Sequence, residues 1–269
     1  GGIRLMAIID KPTDYFNTVT YTGTAGGQTI TGVGHQPDFI WVKQRGDAGY
    51  DHSLHNSVSG LLKQLISNST AAEITNTDTV TSNNSDGFVL GADTAGPNAN
   101  SNNQDTKNYV AWNWKANGAG VANTDGTISS TVSASATSGF SIVSWNGNSG
   151  TIGHGLGVKP AMIIVKSRQT ANNWVVMHKG LTGGMDTNAI VLNSTGGESD
   201  GGAGMAEPTS SVFTITGGLA ANDNNIGYVF AEKQGYSKFG NYIGNGNVNG
   251  TFIYTGFKPA FILRKRTDD

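Results

Sequence analysis

The sequence predicts an all-β fold: tandem antiparallel β-sandwich repeats of the jelly-roll or lectin-like kind. Three observations predict it. Glycine supplies 39 of the 269 residues, with Asn, Ser and Thr filling much of the remainder. These residues serve turns and weaken helix interiors. Short apolar runs rich in β-branched and aromatic residues alternate with turn signals, the spacing expected of a sandwich. One phrase is written three times: "TGVGHQPDFIWVKQR" from Thr31, "HGLGVKPAMIIVKSR" from His154 and "IYTGFKPAFILRKR" from Ile253.

In each phrase a proline (Pro37, Pro160, Pro259) opens an apolar run, and a lysine (Lys43, Lys166, Lys265) stands six residues later. Proline fixes φ and extends the residue before it, so it suits a strand entry. The run that follows is too short and too evenly apolar for an amphipathic helix, and reads as a central strand. Alternation puts Phe39, Trp41 and Lys43 on one face and Ile40 and Val42 on the other. The lysines are expected to lay their methylenes along the sheet and keep the ammonium wet.

An aromatic strand precedes each phrase: "YFNTVTYTGTAGG" from Tyr15, "GFSIVSWNGNSG" from Gly139 and "KFGNYIGNGNVNG" from Lys238. Its Gly- and Asn-rich end predicts a hairpin into the next strand. After the phrase, "LISNSTAAE" from Leu65 answers "IVLNSTGGE" from Ile190, so Glu73 answers Glu198. "SDGFVLG" from Ser85 answers "SSVFTITGG" from Ser210, and "NYVAWNWK" from Asn108 answers "GYVFAEK" from Gly227. His55 and His178 occupy similar places between the phrase and the Asn-Ser-Thr tract. "SVSGLLKQLISN", from Ser57, has helix-like apolar spacing but reads equally as a strand after a turn.

The expected organisation is a repeat over 10–118, a linker or bridging strand over 119–138, a second repeat over 139–235, and an incomplete third over 236–269. Tight junctions between repeats suggest a stiff rod.

The net charge of −2 offers a polyanion no attraction, which sets nucleic acid aside. No run is long enough to insert in a membrane. Without cysteine there is neither a disulfide nor a thiolate metal site. Nucleophile elbows, phosphate loops and His-Glu zinc spacings are absent, and no enzyme is expected. The only acidic residues shared by the two units, Glu73 and Glu198, come one per unit and cannot supply a glycosidase pair. His35 and His154 are assigned to loop packing. No cofactor is expected; the Asn/Asp tracts at 84–87, 123–126 and 222–225 could offer calcium some oxygens, but they are turn chemistry first. Aromatic residues near turns, Trp145, Tyr50 and Tyr21, are the candidate glycan plates. The sequons at Asn68 and Asn193 read as turn chemistry.

Taken in order, the hairpin, "GVGHQPDFIWVK", "SNST", "SDGFVLG" and "YVAWNWK" resemble tandem β-rich domains of structural and tail-fibre-like proteins of tailed bacteriophages, especially phages of marine bacteria. The second unit departs from the pattern, with "YVFAEK" for "YVAWNWK" and no "SDGF". The resemblance implies a virion surface location, other virion proteins as partners, a homotrimer, and contact with host surface polysaccharide. It supplies no catalytic residues. The competing expectations are a secreted carbohydrate-binding or polysaccharide-hydrolysing module, and a capsid-decorating protein without a receptor.

Overall fold

Nineteen strands and one short 3₁₀ turn (Pro12–Asp14) make up the regular structure of the computed structural model, which describes residues 9–46, 49–94, 101–200, 206–217 and 222–268. The first nine are β1 (Phe16–Thr22), β2 (Gln28–Ile30), β3 (Phe39–Gln44), β4 (His52–Asn56), β5 (Lys63–Ile66), β6 (Ile74–Thr75), β7 (Val80–Asn84), β8 (Gly87–Leu90) and β9 (Asn108–Trp114). They form a six-stranded sheet in the order β1-β9-β3-β4-β5-β6 and a three-stranded sheet, β2-β8-β7. The rest are β10 (Val121–Asn123), β11 (Ser130–Ser135), β12 (Phe140–Asn146), β13 (Gly150–Gly153), β14 (Met162–Ser167), β15 (Val175–His178), β16 (Asn188–Val191), β17 (Ser199–Asp200), β18 (Val212–Ile215) and β19 (Asn224–Phe230). They build an eight-stranded sheet, β10-β11-β12-β19-β14-β15-β16-β17, and a two-stranded one, β13-β18.

From β1 and β12 onward, the two large sheets run in the same strand order. Register agrees as well: Phe39 faces Trp114 where Met162 faces Phe230, and Ile30 faces Phe88 where Ile152 faces Phe213. The proline-led strands β3 and β14 are central, each bonded on both edges.

Alternation along these strands feeds three interiors. Ile40 and Val42 of β3 pack with Ile30, Phe88, Leu90 and Tyr109 between the first large sheet and its three-stranded cover. Ile163 and Val165 of β14 pack with Trp145, Ile152, Phe213 and Val229 between the second large sheet and its own cover. The opposite faces meet each other: Phe39, Trp41, Leu54 and Trp114 from the first half join Phe140, Ile142, Trp174 and Tyr228 from the second. The layers therefore stack as cover, large sheet, large sheet, cover. Each fully buried side chain of this size contributes about 1.5–3 kcal/mol of transfer free energy.

This shared middle interior corrects the expected rod of separate modules. Both faces of β3 and β14 are apolar, and a sheet apolar on both faces must bury both. The hairpin expectation is corrected too. β1 pairs with β9 and β2 with β8, so consecutive strands lie in different layers. The turn between them crosses the sandwich edge at Gly23, where an added Cβ would lie 2.1 Å from the Gln104 carbonyl oxygen. The stretch from Ser57 becomes a turn and then β5, with no helix. Within 119–138, β10 and β11 extend the second large sheet beside β12. The third phrase forms no strand, and Ile262 there is 77% exposed.

Candidate functional site

Each phrase opens with the same backbone device. Gly34, Gly157 and Gly256, three residues before their prolines, hold φ at +82°, +69° and +83°. That left-handed region strains any residue with a Cβ. Pro37 and Pro160 are buried and Pro259 is half-buried.

The lysines then diverge. Lys43 is half-buried and donates to the Gln44 carbonyl at 2.9 Å. Lys166 is fully buried, which corrects the wet-ammonium expectation. Its Nζ donates to the carbonyls of Ser167, Thr70 and Thr170 at 2.9, 3.2 and 3.5 Å. Burial pushes its pKa down to about 8, against the pull of Asp223. Lys265 donates to the Gly196 carbonyl at 2.6 Å.

Thr70 belongs to the Asn-Ser-Thr tract of the first half, so Lys166 marks a joint between the halves. Two residues on, Arg168 donates from Nε and Nη2 to the Glu73 carboxylate, both at 2.8 Å. The side chains are 18% and 8% exposed, a geometry far stronger than a surface ion pair. The Glu73 amide donates in turn to the Arg168 carbonyl at 2.8 Å. Trp174 Nε1 donates to the Ile66 carbonyl at 2.8 Å, and Asn56 Nδ2 to the Tyr228 hydroxyl at 3.1 Å.

The joint recurs further along. The Glu198 amide donates to the Thr267 carbonyl at 2.7 Å, and Thr267 stands eight residues after Pro259 as Arg168 does after Pro160. Tract geometry repeats as well. Asn68 Oδ1 accepts from the His52 amide and Asn193 Oδ1 from the Trp174 amide, at 2.9 and 2.8 Å. Both sequon asparagines are therefore caps that shape the tract.

The histidines do not recur. His55 lies opposite Ile40, whereas His178 lies opposite Met162, the counterpart of Phe39. A one-residue offset puts them on opposite faces, which corrects their assignment as matching positions. His55 is fully buried; its Nδ1 bonds the Leu61 carbonyl and its Nε2 the Ser53 hydroxyl, both at 2.8 Å. Ser53 also accepts from Gln64 and Asn102, so this network ties the 101–104 loop to β4 and β5. Burial depresses the His55 pKa to about 4. His178 is half-buried and accepts from the Gly180 amide at 3.0 Å. His35 and His154 are buried; His35 Nδ1 meets the Thr13 carbonyl at 2.9 Å, and His154 Nδ1 accepts from the Leu156 amide.

Of the three candidate plates, Trp145 is 3% exposed, packs edge-on against Phe213 and donates to the Gly147 carbonyl. This corrects its reading as a surface aromatic. Tyr21 is half-buried, stacks on Tyr109 with centroids 5.1 Å apart, and spends its hydroxyl on the Asn102 carbonyl. It is a packing residue. Tyr50 sits half-buried in its loop.

The acidic turns are internally engaged. Asp86 accepts from the Gly32 and Gly34 amides, Asp125 from Asn123 Nδ2, and Asp223 from the Ser167 and Thr170 hydroxyls. Among the described residues no group of three metal-ligating side chains converges.

Sequence reasoning passed over Arg168, although Arg45 and Arg168 both end their phrases eight residues after proline. It also passed over Asn56 and Trp174, which carry no repeated signature.

The fold and the joint together define an all-β protein of layered antiparallel sheets, locked by a polar clasp and an aromatic interior. The chain belongs to the family described as a domain of unknown function (DUF7483), whose model matches residues 11–269. No curated protein and no solved structure matches it.

Proposed function

We propose that the chain is a tandem array of one β-sandwich module and serves as a rigid structural part of a tailed-phage particle. Its place would be a fibre, spike or surface appendage, and its contact the glycans of the host surface. The observation that carries this reading is the joint. Each half is fastened to the phrase that follows it by the same tract-to-phrase hydrogen bond, and the first joint adds a bidentate ion pair and a shared aromatic interior. Such a joint resists bending between modules, which suits a part that transmits force. The carbohydrate contact keeps Tyr50 as its loop aromatic, since Trp145 and Tyr21 are occupied by packing.

Gold-labelled antibody against the chain, applied to intact particles, tests the location. Label on a tail appendage is the expected result; label confined to the head favours a decorating protein, and unlabelled particles end the virion reading. Incubation with host polysaccharide tests the rest. Retention that Tyr50→Ala weakens supports a glycan contact, whereas new reducing ends would establish a hydrolase.

A further inference from the structure

Beside the proline that opens β3, the first half carries a groove of about 350 Å³, near the floor of the roughly 300–1,000 Å³ typical of small-molecule sites. Gln36, Ser57, Leu61, Ser82, Asn83 and Gly118 line it, and none of its lining side chains is charged. It lies at the opposite end of β3 from Tyr50.

The walls of this groove are fixed from behind. Asp38 is 3% exposed and accepts from the Ala116 and Gly118 amides at 2.7 and 3.2 Å. The Ser57 hydroxyl donates to the Gly118 carbonyl at 2.6 Å. Across from them, a bulge in β7 between Val80 and Ser82 breaks the alternation of faces, and Thr81, Ser82 and Asn83 all line the groove. Asn83 Nδ2 donates to the Pro37 carbonyl at 2.7 Å, which orients its amide and leaves Oδ1 as an acceptor. Gln36 is exposed and brings a second amide, and half-buried Leu61 an apolar patch.

The corresponding place in the second half is built from ion pairs. Gln36 and Lys159 each precede the proline of their phrase. The turn Thr209–Val212 answers the turn Asn84–Gly87, which puts Glu207 where Ser82 stands. Lys159 and Glu207 are paired. Ser57 and Lys179 also correspond, since their amides donate to the carbonyls of Asp38 and Ala161, and Lys179 is paired with Glu232. The buried carboxylate that shapes the first groove is Ala161 in the second half. One module thus uses this end for charge pairing, while the other keeps it uncharged, open and held in shape.

We infer that this groove binds a neutral sugar residue, with the amides of Gln36 and Asn83 and the hydroxyls of Ser57 and Ser82 meeting its hydroxyl groups and Leu61 meeting the C–H face of its ring. The inference rests on the glycan contact proposed above, and gives that contact a ligand class and a place apart from Tyr50. Chemistry selects the ligand. Each amide offers donors beside an acceptor, and each serine hydroxyl does both, which matches a sugar hydroxyl in either direction. An uncharged lining gives a carboxylate or a phosphate no counter-charge. Walls fixed before the ligand arrives spare the ordering cost of binding.

The probes are the methyl glycosides of glucose, galactose, mannose and N-acetylglucosamine, titrated to tens of millimolar into the full chain and read by the Asn83 side-chain amide resonances. Saturable shifts with at least one of them are expected. Gln36→Lys combined with Ser82→Glu copies the ion pair that the second half accommodates, and should weaken that binding at least tenfold. Gln36→Ala, at an exposed position, should weaken it by a smaller factor and serves if the double variant fails to fold. No shift with any of the four, or binding that these variants leave unchanged, would overturn the site. Methyl glucuronide bound as tightly as methyl glucoside would overturn the neutral ligand. Retention on host polysaccharide separates the two readings. A double variant retained as firmly as the parent chain sinks only the groove, whereas sugar shifts without retention of either keep the groove and remove the host-surface contact.

Discussion

Ile163 and Ile262 stand in the same place, three residues after a proline, in phrases that share most of their apolar pattern. One is fully buried and the other is 77% exposed. The difference lies in the neighbours. Ile163 sits on β14, which is bonded to β19 on one edge and β15 on the other, and is covered by β13 and β18. Ile262 has none of these, and among the described residues the third phrase makes point contacts, through Phe261 to the aromatic middle and through Lys265 and Thr267 to the tract. A proline-led apolar run thus becomes a strand only when a β9-type strand inserts beside it, because a strand's hydrogen bonds belong to the pair.

Truncations at the middle interior give the largest contrast. Phe39→Ala should cost about 3–5 kcal/mol, the usual range for a buried aromatic. Phe261→Ala, at the half-buried counterpart, should cost less than half as much. Urea denaturation checks both, and equal losses would mean that the third phrase is held as firmly as the first.

The two joints provide the next contrast. Glu73→Ala leaves the Arg168 guanidinium without its partner in a site 18% exposed, and should cost about 3 kcal/mol. Glu198 accepts from the Thr182 hydroxyl and amide, which hold its carboxyl below the usual range. Glu198→Ala should cost about 1 kcal/mol. Thermal unfolding of the two variants ranks the joints.

The last contrast concerns pH. The His55 pKa is depressed in the folded chain to about 4 from the ordinary 6.5, so only the unfolded chain takes up the proton between those values. Its contribution is complete above pH 6.5 and is lost as pH falls toward 4, by about 3 kcal/mol in all. His55→Gln should flatten that limb of the stability profile, whereas His178→Gln should leave most of it. A profile that keeps its slope in His55→Gln would place the titrating group elsewhere.

How much of this was legible beforehand varies by residue. The strand after Pro37 and the division of its faces were readable, since proline geometry and β-branched alternation are local. So was the correspondence of Asn68 with Asn193, because a short polar tract keeps its spacing. The partners were not. That β1 pairs with Trp114's strand rather than with its sequence neighbour depends on an edge crossing at Gly23, and glycine marks many turns that do not cross. Arg168 lay in plain view, but an arginine at a strand end is normally a solvated residue, and only the Glu73 carboxylate 95 positions away makes it a joint.

The amino-acid order by itself determined the class of fold, the three phrases and the two-faced apolarity of their strands, because φ restriction, turn chemistry and side-chain alternation act over a few residues. Tertiary structure decided which face met which. Lys166 became buried while Lys43 stayed half-wet, and Trp145 turned inward, because burial is set by whatever long-range element covers a surface. The two halves of an expected rod gained a shared aromatic layer between their own interiors for the same reason: a sheet apolar on both faces has to find a second cover, and here each large sheet found the other.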